Sequence, residues 1–203
     1  MLFLYRFLIN LVFLISPIIL AIRLLKGKES LNRCKEKFCF FSKKRKKGKL
    51  IWFHGASVGE IQSIVPILER LERENKIAKV LITSNTLSSS KIVDKLKFKK
   101  IIHQFFPIDT NYFSLKFIKY WKPSAAYFID SEIWPNTIMN LKKRKIPIIL
   151  INGRITVKSY KRWKIFPNFS KYIFGQIDKC LPASKKSKTF LKKLGVSNIR
   201  FIG

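Results

Sequence analysis

The sequence predicts an α/β fold, with a mainly parallel sheet carrying helices on both faces behind an apolar N-terminal helix that anchors the chain in a membrane. Three observations lead there. From Leu50 onward, apolar runs of strand length alternate with amphipathic stretches. Helical crossovers between strands force parallel pairing and cover both sheet faces. The segment before Lys26 is almost wholly apolar.

That first segment contains an uncharged run from Phe7 to Ile22, bracketed by Arg6 and Arg23. As a helix the run covers about 24 Å, short of the roughly 30 Å of a bilayer core. Extending it from Leu2 to Leu25 supplies the length, with Arg6 snorkelling to the interface and Pro17 tolerated as a kink. No small-x-small site precedes the charges, which argues against a cleaved signal peptide. A spanning helix and a one-sided anchor both satisfy the pattern, so residues 1–25 are assigned as a membrane anchor.

Residues 26–49 are a basic juxtamembrane segment, with the run Lys43-Lys44-Arg45-Lys46-Lys47 and only Glu29 and Glu36 in opposition. Basic residues beside an apolar helix place that side in the cytoplasm and attract anionic membrane lipids. The whole chain carries 42 Lys+Arg against 11 Asp+Glu, a formal charge of +31. Such a charge requires an anionic partner: nucleic acid, an acidic membrane or a phosphorylated substrate. A hydrophobic content of 47% excludes a disordered basic tail. With the anchor immediately before it, the KKRKK run reads as a lipid contact, and nucleic acid is not expected as a partner. Cys34, Cys39 and Cys180 have no metal-ligand spacing and leave one thiol over in any disulfide scheme, which fits a reducing compartment.

Residues 50–203 form the expected Rossmann-like domain. Strands are expected at Leu50–His54, Val80–Thr83, Ile101–Phe105, Ala125–Ile129, Ile148–Ile151, near Lys179–Leu181, and at Ile199–Ile202. Between them, Ile61, Ile64, Val65, Leu68 and Leu71 recur at helical spacing. Further helices are expected over Ser88–Leu96 and over Phe113–Trp121, the latter stopping before Pro123. Another begins at Trp134-Pro135, one spans Tyr160–Gly175 with a break near Pro167, and the last covers Ser184–Leu194. The chain stops at Gly203 directly after an expected strand, where a loop and helix would follow. A truncated chain is therefore expected.

Three turns gather the polar residues at the carboxyl ends of strands, where such sheets bind ligands. The first is His54-Gly55-Ala56-Ser57-Val58-Gly59-Glu60, whose glycines allow close backbone approach and whose Glu60 opens a helix. The positive helix end is expected to keep Glu60 ionised, either as a general base for a hydroxyl or simply as compensation for the dipole. His54 reads as a satisfied strand-end residue more readily than as a catalyst. The second turn, Asp130-Ser131-Glu132-Ile133-Trp134-Pro135-Asn136, places two of the scarce carboxylates at one strand exit. Glu132 suits either orientation of an acceptor or stabilisation of developing positive charge, Asp130 or Ser131 a helix cap, and Trp134 either packing or sugar stacking. The third, Asn152-Gly153-Arg154, offers either a guanidinium to a carboxylate or phosphate or simply an ordinary surface arginine. No HExxH, paired CxxC or Walker loop supports metal or nucleotide-hydrolysis chemistry.

The stretches WFHGASVGE, PIDTN, DSEIWPN, INGRIT and PASKKSKTFLKKLGVSNIRFIG, in this order behind a basic anchor, resemble the Kdo (3-deoxy-D-manno-octulosonic acid) transferase family. The resemblance implies the N-terminal, acceptor-binding half of a two-domain GT-B glycosyltransferase at the cytoplasmic face of a bacterial inner membrane. It implies transfer of Kdo from CMP-Kdo to the lipid A precursor in lipopolysaccharide biosynthesis, with inversion and without a metal or other cofactor. By the same resemblance Glu60 corresponds to the general base, Glu132 to a second essential carboxylate, and Ser57, Gly59 and Arg154 to substrate contacts. CMP-Kdo would be held mainly by a C-terminal domain outside this sequence, leaving this chain incomplete for catalysis alone. Three rival readings remain: a non-catalytic, membrane-tethered module for anionic lipids, a nucleic-acid binder, and a GT-B enzyme acting on another lipid-linked sugar.

Overall fold

The computed structural model describes residues 1–202. It contains a six-stranded, wholly parallel sheet built from β1 (Leu50–His54), β2 (Lys79–Ser84), β3 (Ile101–Phe105), β4 (Ala125–Ile129), β5 (Ile148–Gly153) and β6 (Lys179–Pro182). The helices are α1 (Leu2–Leu25), α2 (Val58–Ser63), α3 (Val65–Arg73), α4 (Leu87–Lys95), α5 (Asn111–Trp121), α6 (Pro135–Lys143), α7 (Val157–Lys164), α8 (Pro167–Phe174) and α9 (Lys185–Leu194).

The strand order is β3-β2-β1-β4-β5-β6. The chain therefore builds outward from β1 in one direction, then returns to β1 and builds in the other. This reversal makes a crevice between the carboxyl ends of β1 and β4, the position at which doubly wound sheets take ligands. Because β1 lies in the centre with both faces covered, all five of its residues are buried. Alternation sends Trp52 into one core with Phe117, Trp121 and Phe128, and Phe53 into the other with Ile61, Ile64 and Leu68.

Several elements differ from the sequence expectation for identifiable reasons. The helical pattern from Ile61 to Leu71 is two helices, separated at Ile64. Pro66 lacks an N–H and its ring would strike the carbonyl four residues earlier, so the chain restarts with Pro66 in the first turn of α3. The break expected near Pro167 is present, with helices over Val157–Lys164 and Pro167–Phe174, and only the start moves, to Val157, where Thr156 caps the first helix. Helix α5 begins two residues before Phe113 because Thr110 caps it, its hydroxyl accepting the Phe113 N–H at 3.1 Å. The strand expected at Ile199–Ile202 is reduced to a single parallel bridge between Ile199 and Cys180.

Residues 26–49 are packed onto the domain. A 3-10 turn at Cys34–Phe38 carries Glu36, whose carboxylate accepts from Arg33 Nε (2.9 Å), Ser42 Oγ (2.7 Å) and the backbone N–H of Phe105 (2.8 Å). Glu36 thus covers an open donor on β3, the edge strand. Glu29 is buried between Arg23 Nε (2.7 Å) and Lys37 Nζ (2.6 Å). Within the basic run, Arg45 Nε donates to the carbonyl of Trp121 at 2.6 Å, satisfying the C-terminal end of α5.

Helix α1 lies along the domain. Tyr5, Phe13, Ser16, Leu20 and Arg23 fall on one face at helical spacing. The Tyr5 hydroxyl donates to Asp109 Oδ2 (2.8 Å), Arg6 Nε donates to Asn136 Oδ1 (2.9 Å), and the Phe13 ring stands edge-on to Phe113 at 5.4 Å. Ser16 and Leu20 are buried, and the Arg23–Glu29 pair closes the far end. Tyr5 to Arg23 spans about 27 Å of helix. The opposite face, including Phe3, Phe7, Leu14, Ile18 and Leu25, is exposed.

Candidate active site

The crevice at the carboxyl ends of β1 and β4 brings together the first and second polar turns. Ser57 is the N-cap of α2. Glu60, in the first turn, folds back so that Oε1 accepts the Ser57 hydroxyl (2.8 Å) and Oε2 accepts the Ala56 N–H (2.8 Å), a variant of the capping box. Gly55 is needed internally: a Cβ there would stand 3.0 Å from Ile129 Cδ1 and 3.1 Å from Glu60 Cβ. Gly59 is exposed with open space where a side chain would project, which leaves room for a ligand beside Glu60.

The helix end was expected to keep Glu60 ionised. In the structure its pKa is shifted upward from the ordinary carboxylate value. Burial pushes its pKa above the ordinary carboxylate value; the hydrogen bonds from Ser57 and Ala56 pull it down, and the charges of Glu132 and Asp130 push it up again. Of these effects, the burial of the half-buried carboxyl is the largest. A carboxylate with a raised pKa is a stronger proton acceptor.

Glu132 is held by two ring donors. Its Oε2 accepts from Trp134 Nε1 at 2.9 Å and lies 3.1 Å from His54 Nε2. His54 is fully buried, and its Nδ1 lies 2.9 Å from Thr83 Oγ1. Thr83 Oγ1 in turn accepts from Trp52 Nε1 at 2.9 Å. Glu132 Oε2 can only accept, so His54 Nε2 carries a proton; at Nδ1 we assign the Thr83 hydroxyl as donor at 2.9 Å, in preference to its 3.4 Å contact with the Phe53 carbonyl. The chain runs Trp52 to Thr83 to His54 to Glu132, with Trp134 closing on the same oxygen. His54 is thus satisfied, as expected of a strand-end residue, and its satisfied state is what orients Glu132. Trp134 acts through its N–H as well as by packing against His54 and Phe106.

The third turn joins the site through Asp130. Arg154 Nε lies 3.4 Å from Asp130 Oδ1, and Asn152 Nδ2 donates to the same oxygen at 3.2 Å. Asp130 (φ 63°) and Asn152 (φ 51°) both occupy the left-handed region that short polar side chains tolerate, which turns the ends of β4 and β5 towards one another. Burial raises the Asp130 pKa, Arg154 lowers it and Glu132 raises it. Arg154 is largely exposed, and its one carboxylate contact leaves donors free for an anion.

Thr83 and Asp109 escape a reading of the sequence by turns. Thr83 lies inside a strand, and nothing local marks it. Asp109 lies in the quoted PIDTN stretch, one of eleven acidic residues, which was the available signal. It is buried and accepts the N–H groups of Asn136 (3.0 Å) and Thr137 (2.9 Å) at the start of α6, the Thr137 hydroxyl (2.6 Å), and the Tyr5 hydroxyl from α1. The helix following the Glu132 turn is therefore fixed to the apolar helix through one carboxylate.

Comparison with known proteins bears on the fold and the family. In fold, the chain is similar to UDP-GlcNAc 2-epimerase from Neisseria meningitidis, with a TM-score of 0.53 over 77% of this chain and 47% of that one at 15% identity. In sequence, it is 35% identical over 200 residues to the 3-deoxy-D-manno-octulosonic acid transferase of Rickettsia bellii, covering 98% of this chain and 48% of the relative. It is also 35% identical over 164 residues to a probable mitochondrial 3-deoxy-D-manno-octulosonic acid transferase of Arabidopsis thaliana, covering 79% of this chain and 37% of that protein. The chain thus spans about half the length, or less, of these curated relatives. A family model described as 3-deoxy-D-manno-octulosonic-acid transferase (kdotransferase) matches residues 32–203, a stretch containing all three turns, and the chain belongs to that family.

Proposed function

We propose that this chain forms the acceptor-binding half of a membrane-bound glycosyltransferase that moves Kdo from CMP-Kdo to the lipid A precursor. The observation that carries the reading is the pairing of Glu60 and Glu132 across the β1/β4 crevice, with burial and neighbouring charge raising the Glu60 pKa. Glu60 takes the proton of the acceptor hydroxyl as that oxygen bonds to the anomeric carbon of Kdo. The bond from that carbon to the CMP phosphate oxygen breaks, and CMP leaves with the electron pair. Attack opposite the leaving group inverts the anomeric centre, and the step calls on no metal. Glu132, immobilised by His54 and Trp134, faces the positive charge that develops on the sugar. Ser57 and Gly59 border the acceptor, and Arg154 suits a carboxylate or phosphate of the substrates. CMP-Kdo is assigned mainly to the part of the longer relatives that this chain does not match.

Helix α1 is the one described helix long and apolar enough to cross a membrane. Its lengthwise docking supports an anchor that lies in the interface with its outer face in lipid. The cytoplasmic face of the inner membrane is the matching location.

The test is Glu60→Gln in a transferase comprising this half and a donor domain, assayed with CMP-Kdo and a lipid A precursor. Transfer is expected to fall by about two orders of magnitude or more, the scale of losing a positioned base. Vesicle binding is expected to stay unchanged. Full activity in this variant would remove Glu60 from the mechanism.

A further inference from the structure

Beside α1, and lined by none of Ser57, Gly59, Glu60, Glu132 or Arg154, the surface carries a second feature. A cavity of about 540 Å³ is lined by Arg6, Asn111, Leu115, Asn140, Lys143 and Arg144. Three of these residues are cations and none is acidic. Arg6 is held in place by neutral acceptors only, Nε donating to Asn136 Oδ1 at 2.9 Å and Nη2 to Asn111 Oδ1 at 3.0 Å. Among the described residues no carboxylate lies within ion-pair distance of Arg6, Lys143 or Arg144, whereas Arg23, Arg33, Lys37 and Lys142 all have one. A guanidinium ordered by two carboxamides keeps its full charge with its side chain already fixed, so an arriving anion meets a preorganised partner.

Leu115 also lines an adjoining groove of about 480 Å³, together with Phe41, Tyr112, Lys116, Lys119 and Tyr120. This groove is aromatic and apolar at its floor and lysine-rimmed. The Phe41 and Tyr120 rings stack at 3.8 Å, and Tyr112 is 66% exposed. A cationic pocket therefore passes, across one leucine, into an apolar aromatic trough, and Arg6 stands at the end of the helix whose outer face is apolar and exposed. Aromatic and basic residues at the edge of an apolar surface are the pattern of a headgroup-level contact.

We propose that the Arg6–Lys143–Arg144 cavity binds the phosphate of an anionic phospholipid of the bilayer, with the glycerol and upper acyl chain running over Leu115 into the Tyr112–Phe41 trough. The inference rests on the membrane reading of α1 and adds a discrete lipid site, separate from the catalytic crevice. It moves the principal headgroup contact from the Lys43–Lys47 run to the junction of α1, α5 and α6.

The experiment measures binding of the full chain to phosphatidylcholine vesicles with and without phosphatidic acid. In parallel, water-soluble dihexanoyl phosphatidic acid is titrated onto the chain. Two variants of equal charge change are compared, K143Q/R144Q at the cavity and K192Q/K193Q at the exposed end of α9. Saturable binding of the soluble lipid is expected, weakened about tenfold or more in K143Q/R144Q, as for loss of two charge-assisted contacts, and unaltered in K192Q/K193Q. Glycerol phosphate, the same headgroup without chains, is expected to compete poorly. Equal losses in both variants would reduce the effect to overall charge and overturn the site. Competition by glycerol phosphate or inorganic phosphate as strong as by the lipid would make it a free-anion site and overturn the lipid assignment. Failure to bind neutral vesicles would count against α1 as an anchor, while the soluble-lipid titration would still decide the cavity.

Discussion

Thr83→Val isolates the polar chain that orients Glu132. Valine keeps the branched shape and removes only the hydroxyl. Two partners are then stranded: Trp52 Nε1, 2.9 Å from that oxygen in a side chain 1% exposed, and His54 Nδ1, also 2.9 Å away. The indole N–H has no water to turn to, and an unpaired buried donor costs about 1–3 kcal/mol. His54 has an escape, because the carbonyl of residue 83 lies 3.2 Å from Nδ1 and survives the substitution. Using it requires a proton on Nδ1, which in a neutral imidazole bares Nε2 towards the Glu132 carboxylate at 3.1 Å. The expected result is a loss of about 2 kcal/mol in urea unfolding at neutral pH. It is accompanied by a switch of the imidazole from the Nε2–H to the Nδ1–H tautomer in long-range proton–nitrogen NMR. A transferase carrying the substitution should lose rate at saturating substrate, since Glu132 keeps only its Trp134 donor. A stability change below about 0.5 kcal/mol, the range of an ordinary surface substitution, together with an unchanged imidazole pattern, would refute the proton assignment.

Two further outcomes follow from the same geometry. Ser57→Ala removes the N-cap of α2 and should cost about 1 kcal/mol. It also deletes the hydrogen bond that lowers the Glu60 pKa, so the acidic limb of the transfer pH profile should move to higher pH; a stationary limb would show that the limb belongs to another group. Asp109 is fully buried, and that burial raises its pKa from 3.8 to about 6. Because the folded-state value is the higher, its contribution is complete below about pH 4 and is lost as the pH rises through about 6, on the order of 2–3 kcal/mol. Unfolding measured at intervals from pH 4 to 7 should show a shallower decline in Asp109→Asn than in the native chain, the remainder belonging to Glu60 and Asp130, whose pKa values are also raised, and an identical slope in the variant would assign the decline elsewhere.

The sequence by itself determined the alternation of strands and helices, the apolar N-terminal helix and the three polar turns, because each is written in local periodicity, proline placement and residue type. Even its errors were local: Pro66 divides a helix whose hydrophobic spacing runs on unbroken, and the Thr110 cap extends another. Tertiary structure alone decided the strand order, since parallel strands of similar apolar content carry no label for their neighbours. That order sets β1 against β4 and makes one crevice of Glu60 and Glu132. It also decided which polar side chains pair inside the sheet. The link from Trp52 through Thr83 and His54 to Glu132 depends on the register of three strands, in which His54 stands opposite both Thr83 and Phe128. The lie of α1 follows the same logic. Its apolar composition suits lipid on every side, and only the buried partners Asp109, Asn136 and Glu29, supplied by distant segments, choose the face that turns towards the protein.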